Sequence, residues 1–444
     1  MGDKFKGKKV LIFGLGLNQG GVGSAIFFAK EGAEVKVTDL KSEEILKPSL
    51  EQLKEFKNIT YSLGEHKYED LNWADIIIRN PGVKDSNPYL KYAFKKGKRV
   101  ETDFSVFLEY ADQKKLIAVT GTKGKSTTSS LIYEAIKASG QKVVFAGNIG
   151  KSILDTIPAL SEKPWIVVEI SSFQLQSLNT TPFSPNIAVI TNIYPDHLNW
   201  HSSMEEYVQA KKRIALDQTT NDFLFIPCGE DFVSEQFLQG IKSQIKEFCF
   251  EDIKEKFSEI ELPLKGVANL QNYAAAIAVT ETLGIEDKIA VKAFEGFKGG
   301  EFRMQTTGEF NGIKIINDST ATNPVATVAA LQALGGPNLI LISGGMNKGM
   351  DYTEMAMSAD KSTRRVFLLT GDSSEEIKKL IRNKSIIAGT YDDLESLLGD
   401  VKKEAKSGDT ILFSPGATSF NLFQNEFDRG RKFNGAVEKV FNNE

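Results

Sequence analysis

The stretch Leu116–Ser139 reads LIAVTGTKGKSTTSSLIYEAIKAS. Its opening, Leu116–Thr120, predicts a buried strand, and Thr127–Ser139 predicts a helix. Between them, Gly121, Thr122, Lys123, Gly124, Lys125 and Ser126 form a glycine turn rich in cations and hydroxyls. Glycines let backbone N–H groups turn inward on a phosphate, and the start of a helix adds partial positive charge. Lys125 can then reach the outer phosphates, and the Ser126 hydroxyl can meet Mg²⁺. The full pattern G-x-x-x-x-G-K-[ST] wants glycine where Val119 stands, so this is a shortened variant of the loop. The segment predicts an α/β domain holding a triphosphate; a chance turn is the alternative.

Downstream, Trp165–Ile170 and Ile187–Asn192 are continuous apolar runs, the pattern of strands covered on both faces. The first delivers Glu169, followed by Ser171, Ser172 and Gln174. A carboxylate at the end of a neighbouring strand suits a Mg²⁺ ligand or a water-positioning group. Capping of the next helix is the bland alternative. The second run leads into Thr191-Asn192-Ile193-Tyr194-Pro195-Asp196-His197. Histidine is scarce (His66, His197 and His201), and His197 follows a buried strand of the loop's own domain, which favours a functional role. His201 is expected at the surface. Thr219–Glu261 is charge-rich and weakly patterned, and should finish this sheet away from the chemistry. Ala274–Leu283 has the composition of a good helix.

Upstream, Val10–Phe13 predicts a strand, GLGLNQGGVGS a turn, Ser24–Lys30 a helix, and Glu34–Asp39 and Asp75–Ile78 further strands, the last before the break Asn80-Pro81-Gly82. Repeated β-then-α order argues for a parallel sheet with crossover helices. Gly14-Leu15-Gly16 with Asp39 imitates a dinucleotide fingerprint, but Gln19 stands where its third glycine belongs. The turn supports some nucleotide or diphosphate, with NAD and plain close packing as alternatives. Beyond residue 300, Ile313–Ile316, Leu339–Ser343, Arg365–Thr370 and Thr410–Phe413 are strand candidates ending in small or polar residues, where open α/β sheets keep ligand sites. The expected architecture is α/β in three consecutive domains: a Rossmann-like N-terminal domain over 1–103, a central P-loop-type ATPase domain over 104–299 and a Rossmann-like C-terminal domain over 300–444.

The 444 residues are 41% hydrophobic and 25% charged, which suits an ordinary globular protein and excludes disordered or collagen-like chains. A net charge of −4 gives no general pull toward nucleic acid or anionic lipid. Cys228 and Cys249 lack metal-type spacing and read as reduced thiols. The apolar run Val10–Phe13 is too short for a signal peptide, Lys6 breaks the myristoylation pattern, and no run reaches a membrane span. A cytoplasmic protein without membrane or nucleic-acid partners is expected.

Taken in order, the motifs resemble one family along essentially the whole chain, the Mur ligases of peptidoglycan synthesis. The matching segments are GLGL (14–17), NPGV (80–83), TGTKGKST (120–127), GNIG (147–150), EISSFQL (169–175), DH (196–197), AKKRI (210–214), NDSTATN (317–323), SGGMNKG (343–349) and SPGATSF (414–420). Each is moderately specific; their order and spacing are strong. The resemblance implies an ATP-dependent carboxylate–amine ligase that passes through an acyl phosphate. It implies UDP-N-acetylmuramoyl-L-alanine and D-glutamate as substrates, with L-glutamate or another amino acid open. It also implies two Mg²⁺ ions, one held by Ser126 and Glu169, the other by His197 and a carbamylated lysine, here Lys211. Without the resemblance Lys211 would read as an exposed helix cation.

By the same carry-over, ATP is held by Gly121, Thr122, Lys123, Gly124, Lys125, Ser126 and Thr127 with Asn272, Arg303 and Asp318. Asn148 contacts the reacting substrate. The UDP part lies at Leu15, Leu17, Asp39, Lys41, Pro81 and Gly82, and the amino acid at Thr322, Lys348, Ser419 and Phe423. Domain motion and a monomer are further implications. Three positions depart from the family pattern: Ala268 and Phe302 where histidines are usual, and Thr320 where a lysine is expected. The last bears on amino-acid selectivity more than on the reaction. Competing readings are an NAD-dependent oxidoreductase, which leaves TGTKGKST and Glu169 unexplained, and a nucleotide-binding regulator, which leaves His197 and Lys211 unexplained. A sister ligase of the folylpolyglutamate type is the nearest enzyme alternative, and NDSTATN and SPGATSF argue against it.

Overall fold

The structure, a computed structural model, describes residues 4–16, 19–147, 152–178, 181–196, 200–229, 232, 234–264, 266–297, 299–347, 350–419 and 422–442. The chain divides into two compact units, Met1–Phe297 and Lys298–Glu444.

The first unit holds two parallel sheets. In one, β1 (Lys9–Phe13), β2 (Glu34–Asp39), β3 (Ile59–Leu63), β4 (Ile76–Arg79) and β5 (Arg99–Glu101) lie in the order β3-β2-β1-β4-β5. In the other, β6 (Leu116–Thr120), β7 (Val143–Ala146), β8 (Trp165–Glu169), β9 (Ile187–Ile190), β10 (Phe223–Pro227) and β11 (Gln244–Phe248) lie in the order β11-β10-β9-β6-β8-β7. Every residue of β6 and of β9 is buried, as their unbroken apolar runs require when helices cover both faces. One apolar core runs from Phe5 through Phe104 and Phe183 to Phe237 and joins the two sheets. The weakly patterned segment after Thr219 contributes β10 and β11, which finish the second sheet.

The second unit is one sheet: β12 (Gln305–Phe310), β13 (Ile313–Asn317), β14 (Leu339–Ser343), β15 (Arg365–Leu369), β16 (Ile387–Tyr391) and β17 (Thr410–Phe413), ordered β12-β13-β17-β14-β15-β16. Among the described strands only β12 is antiparallel, paired with β13. Neither β12 nor β16 stands out in the sequence, because Thr306, Gly308 and Gly389 interrupt any apolar run at these edges.

Three expectations need correction. The first glycine-rich segment is not all turn: the helix begins at Gln19 and runs to Lys30. A Cβ on Gly21 would lie 2.2 Å from the Leu15 carbonyl oxygen, and one on Gly23 would lie 2.1 Å from Ser152 Cβ. These glycines let the helix approach its neighbours; Gly14 and Gly16, at φ +94° and +64°, make the turn itself. Second, Cys228 and Cys249 are joined in a disulfide with Cα atoms 5.6 Å apart, because they follow the paired ends of the neighbouring strands β10 and β11. Third, His201 is buried. Its Nε2 lies 3.0 Å from Ser172 Oγ and its ring stacks on Phe173.

Candidate functional site

The glycine turn joins β6, in the middle of its sheet, to the helix Lys125–Ala138. Gly124 caps that helix at φ +82°, a conformation that glycine alone adopts at little cost. The segment after β9 pins the turn from one side. Thr122 donates its N–H to the Asn192 carbonyl at 3.0 Å, and Lys123 donates its N–H to Asn192 Oδ1 at 2.8 Å. Thr191 Oγ1 donates to the Lys123 carbonyl at 2.6 Å. The Thr122 hydroxyl lies 3.1 Å from Tyr207 Oη and accepts the Tyr194 N–H at 3.0 Å. Thr191, Asn192 and Tyr207 are site-forming residues that the sequence does not single out, since nothing in their type marks them.

Two lysines converge beneath the turn. Lys125 Nζ donates to the Gly121 carbonyl at 3.0 Å and the Thr122 carbonyl at 3.2 Å, while Lys211 Nζ donates to the same Gly121 carbonyl at 2.7 Å. Lys211 is 1% exposed, on the helix Met204–Lys212, and its amine lies over the Tyr207 ring. It is not the exposed cation that its charge alone suggests. Burial pushes its amine down to about 6, the Lys125 cation pushes the same way, and Asp196 and Glu169 pull against both. Glu169 ends β8 opposite Val119 of β6, so its carboxylate and the two lysines share one neighbourhood. The Ser126 hydroxyl oxygen is buried in the first turn of the helix without a hydrogen-bond partner. A hydroxyl and a carboxylate oxygen beside a phosphate loop are the donor set of a hard divalent cation, so these residues fit Mg²⁺.

Asn272, on the helix Val267–Thr282, is buried against the turn: its Oδ1 accepts from Thr128 Oγ1 at 3.1 Å. Ala268 is exposed on the first turn of that helix, and Asn269 Oδ1 accepts from Asn272 Nδ2 at 3.3 Å. In the first sheet, the buried Asp39 carboxylate accepts the N–H groups of Gly16 and Lys41, each at 2.9 Å. The fingerprint acid thus orders the glycine turn itself. Leu15 is buried beside it, and Asn80-Pro81-Gly82 lies alongside, the Gly82 N–H donating to Asn80 Oδ1. Lys41 and Gly82 are exposed and Pro81 half-buried. His66 stacks on Phe13 at 4.0 Å and shares a 2.9 Å hydrogen bond with Thr38 Oγ1; nothing in the sequence marks it as a neighbour of this turn.

In the second unit, Asp318 follows β13 with a buried carboxyl that accepts from Ser414 Oγ at 2.8 Å and the Met304 N–H at 3.1 Å. Burial pushes it up to about 7 against those bonds and the Arg303 charge. Met346 and Thr418 exchange backbone hydrogen bonds, joining SGGMNKG to SPGATSF. Ser419 is buried with an unpartnered hydroxyl, Phe423 is half-buried and bonded to the Ser419 carbonyl, and Thr322 is half-buried. The fully buried Arg429 donates to the carbonyls of Ser319 (2.6 Å) and Ala417 (3.0 Å), holding the two loops together. Arg303 is exposed. Leu17, Asn148, His197 and Lys348 lie outside the described residues.

The chain matches the sequence patterns of three families: "Mur ligase MurD-like, N-terminal domain" over residues 8–102, "Mur ligase middle domain" over 119–248 and "Mur ligase, glutamate ligase domain" over 302–416. It is 35% identical to the UDP-N-acetylmuramoylalanine–D-glutamate ligase of Borreliella burgdorferi strain ZS7, covering 99% of both chains. The fold is similar to that of UDP-N-acetylmuramate-alanine ligase MurC from Thermotoga maritima, with TM-score 0.61, 20% identity and coverage of 97% and 99% of the two chains. It is also similar to the fold of MurF ligase from Thermotoga maritima, solved in complex with ADP, with TM-score 0.57, 16% identity and coverage of 99% and 100%.

Proposed function

This chain belongs to the Mur ligase family, and on that footing we propose that it joins D-glutamate to UDP-N-acetylmuramoyl-L-alanine with cleavage of ATP, in peptidoglycan precursor synthesis. The observation that carries the reading is the meeting of Lys125 and Lys211 on the Gly121 carbonyl, beside Glu169 and under a turn whose glycines and helix start suit a triphosphate.

The substrate's terminal carboxylate oxygen attacks the γ-phosphorus of ATP; the bond to the bridging oxygen breaks and ADP departs. The amine of the amino acid then attacks the acyl carbon, its proton leaves, and phosphate departs as the amide forms. Two anions must meet in the first step, so positive charge has to be in place beforehand. Lys125 supplies it from the turn, with the N–H groups of Gly121, Gly124, Ser126 and Thr127 cradling the phosphates, while Thr122 and Lys123, whose N–H groups go to Asn192, shape the turn around them. Ser126 and Glu169 would hold one Mg²⁺, and His197 with carbamylated Lys211 a second, and such ions screen the phosphate oxygens that the carboxylate approaches. Burial pushes the Lys211 amine down to about 6, toward the neutral form that adds CO₂: a C–N bond forms, one proton leaves, and the amine becomes an oxygen-donor anion.

Asn272, Arg303 and Asp318 are assigned to ATP, and Asn148 to the reacting substrate. Leu15, Leu17, Asp39, Lys41, Pro81 and Gly82 are assigned to the uridine diphosphate part, with Asp39 also ordering the turn that receives it. Thr322, Lys348, Ser419 and Phe423 are assigned to the amino acid, the Ser419 hydroxyl standing ready for its carboxylate. Among the described residues no helix is long and apolar enough to cross a membrane. A cytoplasmic monomer acting on small molecules completes the reading.

The test is ADP release with UDP-N-acetylmuramoyl-L-alanine, screened over D- and L-amino acids. Release with D-glutamate is expected; silence with every amino acid overturns the assignment. Lys211→Ala should abolish ligation, and added acetate or formate should restore part of it.

A further inference from the structure

Phe302 and Thr320 meet in the second unit. The Thr320 hydroxyl donates to the Phe302 carbonyl at 2.9 Å, and the Thr320 N–H donates to the same oxygen at 3.1 Å. That carbonyl belongs to a residue held at φ +57°, a left-handed conformation that a bulky side chain rarely adopts. Two residues on, Met304 is at φ +47°, its N–H fixed by Asp318 Oδ1 at 3.1 Å. The Phe302 N–H is fixed in turn by Gln305 Oε1 at 3.2 Å. The Phe302 ring is 2% exposed and lies over Gly430, where a Cβ would come within 2.3 Å of it, and faces Phe427 at 6.2 Å. Strained backbone on both sides of one residue persists only where its surroundings over-determine it. The residue between is Arg303, which alone of the three projects to solvent.

We propose that Thr320 and Phe302 are positioning residues for Arg303: the ring anchors the turn on Gly430, the paired donors of Thr320 lock its carbonyl, and the exposed guanidinium is thereby presented from a fixed turn for its assigned role toward ATP. The proposal rests on the assignment of Arg303 to ATP. It gives Thr320, which stands where the resemblance implies a lysine for the amino acid, a different role, with its hydroxyl committed to the backbone of the ATP-binding turn.

The experiment compares Thr320→Val, which removes only the hydroxyl donor, with Thr320→Ser, which keeps it, using ADP release at varied ATP, UDP-N-acetylmuramoyl-L-alanine and D-glutamate. Loss of one such hydrogen bond should raise the KM for ATP about five-fold in Thr320→Val. The KM values of the other substrates should hold, and Thr320→Ser should return the ATP value to near the original. Combining Thr320→Val with Arg303→Ala should give no further loss beyond Arg303→Ala alone, since a residue acting through another is non-additive with it. A change in the D-glutamate KM alone, or losses that multiply in the double variant, overturns the proposal. Impaired Arg303→Ala beside an unaltered Thr320→Val overturns the proposal while leaving the ATP assignment standing; Arg303→Ala with an ordinary KM for ATP overturns that assignment and the proposal with it.

Discussion

Replacing Lys211 by methionine should make the protein more stable and nearly inactive. The side chain is 1% exposed and its amine is pushed from an ordinary 10.5 down to about 6. Keeping such an amine neutral near pH 7.5 costs about 4 kcal/mol, at ~1.4 kcal/mol for each pH unit below 10.5. Methionine fills a similar volume without that cost. The Gly121 carbonyl loses one donor but keeps Lys125 at 3.0 Å, so less than about 1 kcal/mol is given back. Lys211→Met should therefore gain about 3 kcal/mol near pH 7.5. The sign across pH is fixed: between about 6 and 10.5 the unfolded chain binds the proton that the folded one has shed, so wild-type stability rises with pH through this window. The advantage of Lys211→Met should be largest at or below about pH 6 and vanish near 10.5. Thermal unfolding of both proteins over that range, in bicarbonate-free buffer with chelator, reads it directly. ADP release should fall by about a hundredfold, the upper end for a disturbed metal site. A methionine variant less stable than wild type throughout, or one that still ligates, refutes the reasoning.

Gly124→Ala should weaken ATP binding at least about ten-fold, because left-handed backbone costs an alanine about 1–2 kcal/mol and its Cβ would lie 2.2 Å from Asn272 Oδ1; the KM for ATP measures it. Reduction of the Cys228–Cys249 bond, which spans 21 residues, should lower stability by about 3 kcal/mol by loop-closure entropy, seen as a lower melting temperature with dithiothreitol that a Cys228→Ala, Cys249→Ala protein does not show. Arg429→Met should cost about 1–3 kcal/mol in urea unfolding, since the buried carbonyls of Ser319 and Ala417 lose their donor and relief of the buried charge offsets part of that loss.

What the sequence disclosed follows from where each residue's role is written. The strands β6, β8 and β9 were legible because burial on both faces demands unbroken apolar runs. The edge strands β12 and β16 were not, because half-exposed positions place few demands on side-chain type. Glycines carry an ambiguity of the same origin: Gly14 and Gly16 serve positive φ, Gly21 and Gly23 serve close approach, and composition cannot separate the two. The cysteine pair was misread because residues 21 apart give no hint that they end adjacent strands.

The candidate site divides along a similar line. Lys125 and Glu169 announce themselves by local spacing, whereas Lys211 depends on a contact 90 residues away in sequence, with the Gly121 carbonyl. From local sequence it is one more basic residue on a polar helix; in three dimensions it is the buried amine whose proton the surroundings expel. Arg429 and Tyr207 are hidden for the same reason, each defined by acceptors that only the fold supplies. Thr320 shows the converse. Its departure from the family pattern is visible at once, yet only the fold shows that its hydroxyl donates to the backbone carbonyl of residue 302. The two departures meet at one turn, Thr320 through a main-chain acceptor and Phe302 through its ring on Gly430, which is why neither role can be read along the chain.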